Sequence, residues 1–214
     1  MRILILSLLL SISSWTVADV LDVNIWKSMP GKGQLTVQYA NEAKAIQQKL
    51  GATASTGSDT DGRIHTVTSF KNWAEWAAFG NKLQGSSEWG KFMDKVTKNP
   101  SAELETNYLL NTPVSSGKTA GAVYQVFIWK AELGRANDMF QSATEAAAIH
   151  KKAGVSVDIH FDQMQNMHYV MNFDSWADWA KTQDTPNADF QAFMQRQGVN
   201  PNSQLVKVYT ARNL

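Results

Sequence analysis

The strongest constraint on the fold is that the second half of this chain repeats the first at a fixed distance. Val23-Asn24-Ile25-Trp26-Lys27 returns 103 residues later as Val126-Phe127-Ile128-Trp129-Lys130. Over residues 23–51 and 64–77, 20 of 43 positions hold the same residue as their partner 103 positions on. A unit of about 90 residues is longer than the roughly 20–50 residues of solenoid repeats. The sequence therefore predicts two copies of one small domain, at residues 19–111 and 122–214, with a linker at 112–121.

The residue pattern of the second repeat predicts the order of its elements. Residues 124–130 are β-rich, 134–153 have helical spacing and stop at a glycine, and 155–161 and 167–173 alternate as the two strands of a hairpin. Two further helical segments and a last strand over residues 205–211 follow. This β-α-β-β-α-(α)-β order is that of a ferredoxin-like split βαβ unit. The fold class is therefore α+β.

A sheet with helices on one face only needs a cover for its other face. We expect the two ferredoxin-like βαββαβ repeats to stack sheet to sheet, with a cavity between the sheets. The chain resembles the dimeric α+β barrel superfamily in two respects. The first is this strand order, and the second is a Phe-x-x-Trp-x-x-Trp motif at the start of the second helix, at Phe70, Trp73, Trp76 and at Phe173, Trp176, Trp179. The resemblance is to antibiotic-biosynthesis-monooxygenase-like and NIPSNAP-like domains, here as a tandem duplication. It implies a pseudo-dimeric barrel.

The N-terminal 18 residues have the pattern of a secretory signal peptide. Met1-Arg2 precedes ten mainly apolar residues, and Ala18 ends a stretch of small residues. We expect cleavage after Ala18 and export to the bacterial periplasm or the medium. The net charge of +1 then falls to zero, because Arg2 is removed. A neutral chain argues against nucleic acid as a partner, and no membrane attachment is expected after cleavage.

Polar side chains on the predicted hairpin are the candidates for catalysis. Alternation places Asp158 and His160 on one face, and the turn between the strands places His168 opposite His160. An Asp-oriented histidine can act as a general base, and two histidines with a carboxylate can hold a metal. Hydrogen-bonded histidines with no chemical role are the structural alternative. The first repeat retains only His65 here, so any site is expected mainly in the second repeat.

Four residues are the candidates for ligand contact. Trp26 and Trp129 line the inter-sheet cavity if Ile25 and Ile128 face the helices. His65 is the repeat partner of His168, and Met171 is expected beside them in the cavity wall. If haem is bound, His65 or His168 would be its axial ligand. Because the chain has no cysteine, thiolate metal sites and covalent c-type haem are excluded.

Several functions remain open from sequence. The first is binding of a small hydrophobic or aromatic molecule between the sheets, without a cofactor. A cofactor-independent monooxygenase or isomerase with a histidine base is what the resemblance implies as the enzymatic alternative. A haem or metal protein is the third, as in the tandem chlorite-dismutase-like relatives of this fold. The fourth is a structural role, with a homo-oligomer formed through exposed sheet edges.

Overall fold

A computed structural model describes residues 20–117 and 121–214. The predicted signal peptide, and residues 118–120 of the predicted linker, lie outside the described residues. The first repeat contains β1 (Val20–Ser28), α1 (Gly33–Lys49), β2 (Thr53–Asp59), β3 (Ile64–Phe70), α2 (Trp73–Gln84), α3 (Ser87–Lys98) and β4 (Ala102–Val114). The second contains β5 (Val123–Ala131), α4 (Ala136–Lys152), β6 (Ser156–Phe161), β7 (Met167–Phe173), α5 (Trp176–Asp184), α6 (Ala188–Val199) and β8 (Ser203–Asn213). Strand β4 continues three residues into the predicted linker.

Short polar side chains start the helices that follow the hairpins. Asn72 and Ser175 accept hydrogen bonds from the backbone N–H groups of Glu75 and Asp178, at the first turns of α2 and α5. Ser86 and Asn187 cap α3 and α6 in the same way. Such caps satisfy N–H groups that have no partner within the helix. None of the helices in the described ranges is long and apolar enough to cross a membrane.

The eight strands form one closed antiparallel barrel in the order β1-β3-β2-β8-β5-β7-β6-β4. The last strand of each repeat pairs within its own sheet and also with the other repeat, so that β4 contacts β6 and β8 contacts β2. The predicted pseudo-dimeric barrel of two ferredoxin-like repeats is confirmed. The seams between the repeats are short, with three paired positions between β2 and β8 and two between β4 and β6, so oligomerisation through the remaining sheet edges stays a prediction.

The barrel interior is filled by buried side chains from the strands alone. Val126 and Ile128 pack on Tyr209 and Ala211, with Tyr108 of the first repeat beside them. A second cluster unites Val23, Ile25 and Leu110. The isoleucines that were expected to face the helices therefore face the barrel interior, and the orientation predicted for this strand is wrong.

Candidate functional site

A large cleft lies outside the barrel, between the second repeat's sheet and its three helices. It has a volume of about 1370 Å³. Its floor is the outer face of β5 and β7, and its walls are α4, α5 and α6. The apolar lining consists mainly of large side chains: Phe127, Trp129, Met139, Met167, Met171, Phe190 and Phe193. An apolar lining with a few polar groups is typical of a small-molecule site, and the volume is above the roughly 300–1,000 Å³ that is common for such sites.

Three substitutions between the repeats explain why this cleft is open in the second repeat. In the first repeat, Phe79 is buried against Val20 and Phe70, with Leu50 and Leu83 packed around them. At an offset of 103, the positions of Leu50, Phe79 and Leu83 are held by Ala153, Thr182 and Pro186, the last of which lies beyond the end of α5 and not within a helix. All three of these smaller side chains line the cleft. The cleft borders the hydrophobic core of the second repeat, in which Met139, Tyr169 and Met171 are buried, and the corresponding space in the first repeat is a smaller pocket of about 550 Å³.

A shorter helix enlarges the same opening. Helix α5 has 9 residues, where its counterpart α2 has 12. The helix ends before Pro186, a residue that has no backbone N–H to continue it. Thr185, Pro186 and Asn187 then form a connection at the cleft mouth. The change of repeat offset from 103 to 101 falls within this region.

One buried polar pair stands among the apolar side chains of the cleft. His150 on α4 and Tyr169 on β7 lie 2.6 Å apart, measured from Nδ1 to the hydroxyl oxygen. Both side chains are buried, and the ring of Phe190 lies 4.6 Å from the imidazole ring, between centroids. Burial lowers the pKa of His150 and raises the pKa of Tyr169. Both groups are therefore neutral at neutral pH.

Sequence reasoning did not find this pair, although a signal was present. The positions that match His150 and Tyr169 in the first repeat hold Gln47 and Thr66. The prediction concentrated on polar side chains of one face of the hairpin, whereas His150 lies on α4 and Tyr169 on the opposite face of β7. A comparison of the positions at which the two repeats differ would have identified the pair.

The mouth of the cleft is more acidic than basic. The described residues that line it include three aspartates and one lysine: Asp174, Asp178, Asp189 and Lys181. The Asp178 carboxylate also accepts a hydrogen bond from the Ser175 hydroxyl. Carboxylates at the entrance disfavour an anionic ligand, because like charges repel.

The predicted catalytic residues lie inside the barrel, on the face opposite the cleft. His160 is directly across from His168 in the β6–β7 ladder, as the sequence predicts. The three side chains have separate partners: Asp158 accepts from Asn172, His160 Nδ1 lies 2.8 Å from the Thr112 hydroxyl, and His168 Nε2 lies 3.3 Å from Asp162. In the described part of the chain, no three His, Asp or Glu residues are placed to hold a metal ion.

A second feature missed from sequence is an Asp–His pair in each repeat. Asp59 Oδ2 lies 3.0 Å from Nε2 of His65, and Asp162 contacts His168 in the same way. The rings of His65 and His168 pack edge-on against Tyr209 and Tyr108, which come from the opposite repeat. Asp59 and Asp162 match at the offset of 103. They fall in the stretch between the two aligned blocks, and so were overlooked.

The predicted ligand-contact residues divide between the two faces of the sheet. Trp129 and Met171 line the cleft, on the helix side of the sheet. Trp26 shares the outer face of β1 with Asp22, whose carboxylate accepts a hydrogen bond from Trp76 of α2. His65 is 1% exposed within the barrel. The prediction that Trp26, Trp129 and Met171 line a cavity between the sheets is therefore wrong, although two of them line the cleft.

Comparisons with solved structures agree with this architecture. A candidate monooxygenase of Fusobacterium nucleatum superposes with a TM-score of 0.62 at 10% identity, over 92% of each chain. An anthrone oxidase-like protein gives 0.59 at 12% identity, also over 92% of each chain. The chain has the dimeric α+β barrel fold.

The barrel is also similar to a haem-binding protein from Thermus thermophilus. That match has a TM-score of 0.56 at 6% identity, over 92% of this chain and 91% of the other. No protein-family model matches the sequence, and no curated protein matches it. At these identities the likeness shows the fold alone, so a function for the barrel must be argued from its own side chains.

Proposed function

We propose that this protein binds a neutral, largely apolar aromatic molecule in the cleft between the sheet and the helices of its second repeat. The observation that carries the proposal is the replacement of Leu50, Phe79 and Leu83 by Ala153, Thr182 and Pro186. A packed sheet–helix interface is the default in a protein interior. Here the second repeat keeps a buried core beneath the cleft, and the open space above that core is larger than the corresponding pocket of the first repeat.

The lining favours an aromatic ligand over a flexible aliphatic one. The half-buried Trp129 and Phe190 offer ring faces and edges, and the exposed Met194 offers a sulfur that makes favourable contacts with aromatic rings. The pair formed by His150 and Tyr169 gives one point of hydrogen bonding at depth. The acidic mouth selects against anions. A polycyclic ketone or phenol meets all three conditions.

Haem does not fit the residues that were predicted to hold it. The imidazoles of His65 and His168 point Nε2 at a buried carboxylate inside the barrel. In the cleft, the carboxylates of Asp174, Asp178 and Asp189 outnumber Lys181 among the described lining residues, a charge balance that would disfavour the two propionates of haem. Binding without haem is therefore the function that this chain's own residues support.

The decisive experiment fills the cleft with the side chains of the first repeat. We expect the double variant Ala153→Leu/Thr182→Phe to lose binding of 1,8-dihydroxyanthraquinone by at least about 30-fold, since each large side chain occupies ligand volume. Isothermal titration calorimetry measures the affinity. Ala177→Leu, on an exposed part of α5, is the matched control and should bind like wild type. Equal affinity in all three proteins would place the ligand elsewhere.

A cofactor-independent oxygenase is the second candidate, and the likeness to an anthrone oxidase-like protein favours it. In that reaction an anthrone loses two hydrogens, dioxygen supplies the new carbonyl oxygen, and the second oxygen atom leaves as water. Oxygen uptake with anthrone, measured with an electrode, tests this candidate. The cleft-filling variant should abolish uptake together with binding, and uptake that persists in that variant would contradict an oxygenase site in the cleft.

Export remains a proposal that depends on the N-terminal sequence alone. Expression of the full chain in a bacterium, followed by fractionation and mass spectrometry, should give a mature protein that begins at Asp19 outside the cytoplasm. Recovery of the intact chain from the cytoplasm would contradict it. A homo-oligomer likewise remains a prediction, for light scattering to test.

A further inference from the structure

We infer that His150 and Tyr169 form a proton relay that interconverts the keto and enol forms of the ligand in the cleft. The inference rests on the proposed binding function, and it assigns a catalytic site to residues outside the barrel interior. The substrate class that follows is a polycyclic ketone with an acidic C–H group next to an aromatic ring. The reaction is a tautomerisation, so it needs no oxidant, metal or cofactor.

The geometry of the pair allows a proton to pass through both side chains. His150 Nδ1 and the Tyr169 hydroxyl are 2.6 Å apart, within hydrogen-bonding distance. When Nδ1 carries the proton, it donates to the tyrosine oxygen, while Nε2 has a free lone pair and the tyrosine O–H is free to donate. The pair then presents one base and one acid to the same cleft.

The tautomerisation step balances in atoms and charge. Nε2 of His150 takes the acidic C–H proton, and the electron pair of that bond forms the new C=C bond. The carbonyl oxygen receives the Tyr169 hydroxyl proton, and the Nδ1 proton moves to the tyrosine oxygen. The products are the enol and the other neutral imidazole tautomer. The reverse transfer, or exchange with water, restores the starting state.

Burial suits both groups to these roles. A lowered pKa keeps the imidazole of His150 neutral, and therefore basic, at neutral pH. A raised pKa keeps the proton on Tyr169 until a developing enolate oxygen accepts it. The ring of Phe190 packs against the imidazole and limits its rotation. The matching residues of the first repeat, Gln47 and Thr66, cannot relay a proton between a base and an acid.

Hydrogen exchange into anthrone tests the relay without any oxygen chemistry. Under nitrogen in D₂O, NMR follows replacement of the two C10 hydrogens, which pass through the enol. We expect wild-type protein to accelerate this exchange over buffer, and His150→Gln to lower the acceleration by about 100-fold or more, the usual contribution of a positioned base. Tyr169→Phe should lower it by about 10-fold or more. Lys151→Gln, on the exposed side of α4, is the matched control and should exchange like wild type.

Three further readouts separate catalysis from folding and binding. His150→Gln should still bind 1,8-dihydroxyanthraquinone, with a loss of no more than about 10-fold for one altered hydrogen bond, because the matching Gln47 shows that glutamine fits this helix. Added imidazole should restore exchange in His150→Ala. The wild-type rate should also fall at a lower pH than it would for a solvent-exposed imidazole, because burial lowers the pKa of His150.

Each contrary outcome has a definite meaning. Tight quinone binding without faster exchange would overturn the relay and leave the binding function standing. Undiminished exchange in His150→Gln would overturn the assignment of the base. Failure of wild type to bind the quinone would overturn the proposed function, and the relay with it.

Discussion

The buried Asp–His pairs show how many contacts one carboxylate supports in this fold. Through Oδ1, Asp59 accepts hydrogen bonds from the backbone N–H groups of Asp61 and Arg63, and so fixes the turn between β2 and β3. Its Oδ2 faces Nε2 of His65, and that imidazole contacts Tyr209 of the other repeat. One side chain thus joins a local turn to the contact between the repeats.

Removing the charge of this carboxylate should weaken the whole barrel. Asp59→Asn keeps an oxygen for the turn but places an amide group or a poorer acceptor against His65. We expect a free energy of unfolding lower by roughly 1–3 kcal/mol, the cost of a poorly satisfied buried polar group. Urea unfolding measures it. Asp61→Asn, in the same turn but exposed, is the control and should change stability by less than about 0.5 kcal/mol. Equal losses in both variants would contradict this role.

His160 should make the protein less stable in acid. Burial lowers its pKa to about 4, with His168 acting in the same direction and the Asp158 carboxylate opposing. The unfolded chain therefore takes up a proton near pH 6.5, while the folded chain stays unprotonated. Stability is lost as the pH falls from about 6.5 to about 4, by up to about 3 kcal/mol.

His160→Gln isolates this contribution, because glutamine keeps a polar group near Thr112 but does not titrate. Urea unfolding at about pH 7.5 and about pH 4.5 should show a smaller loss of stability in the variant than in wild type. The same loss in both proteins would assign the acid sensitivity to other groups, among them His150 and His168, whose pKa values burial also lowers.

At the scale of elements, the two repeats differ most in the helices that follow their hairpins. Helix α2 buries Phe79 against the sheet, whereas no residue of α5 is buried. The absent contacts are those that leave the cleft open. Local stability follows the number of buried apolar contacts. The same substitutions that open the cleft therefore also lower the local stability of α5.

Hydrogen exchange monitored by mass spectrometry should show this difference directly. We expect peptides from α5 to exchange at least about 10-fold faster than peptides from α2, because α5 opens at lower cost. Binding of 1,8-dihydroxyanthraquinone should slow exchange in α5 and α6, and leave α2 and α3 unchanged as an internal control. Equal protection of α2 and α5 in the free protein would contradict the packing argument.

At the scale of the whole molecule, neither repeat completes its own fold. The inner face of each sheet carries apolar side chains, such as Val23 and Ile25 in the first and Val126 and Ile128 in the second. The other repeat covers these side chains. The two seams between repeats, β4 with β6 and β2 with β8, are short ladders. Burial of the apolar inner faces therefore contributes more to the association of the two repeats than the backbone hydrogen bonds of the seams do.

For this reason we expect each separated half to associate with a partner and not to remain monomeric. We expect residues 121–214 alone to form a homodimer that repeats the barrel, because the two seams are equivalent under the duplication. Co-expressed with residues 20–117, the same half should instead give a 1:1 complex. Size-exclusion chromatography with light scattering measures both. A stable monomeric half would show that the inner face does not need a partner.

The sequence by itself determines the duplication, the strand order and the pairing of His160 with His168. These depend on local alternation, turn length and repetition, all of which can be read along the chain. Which face of each sheet lies inside the barrel was decided only by the tertiary structure. In β5, Val126 and Ile128 alternate with Phe127 and Trp129, so both faces are apolar and the pattern cannot distinguish them. The position of the cleft depends on which helix residues are too small to fill the space above that sheet, and this is a property of packing between distant segments.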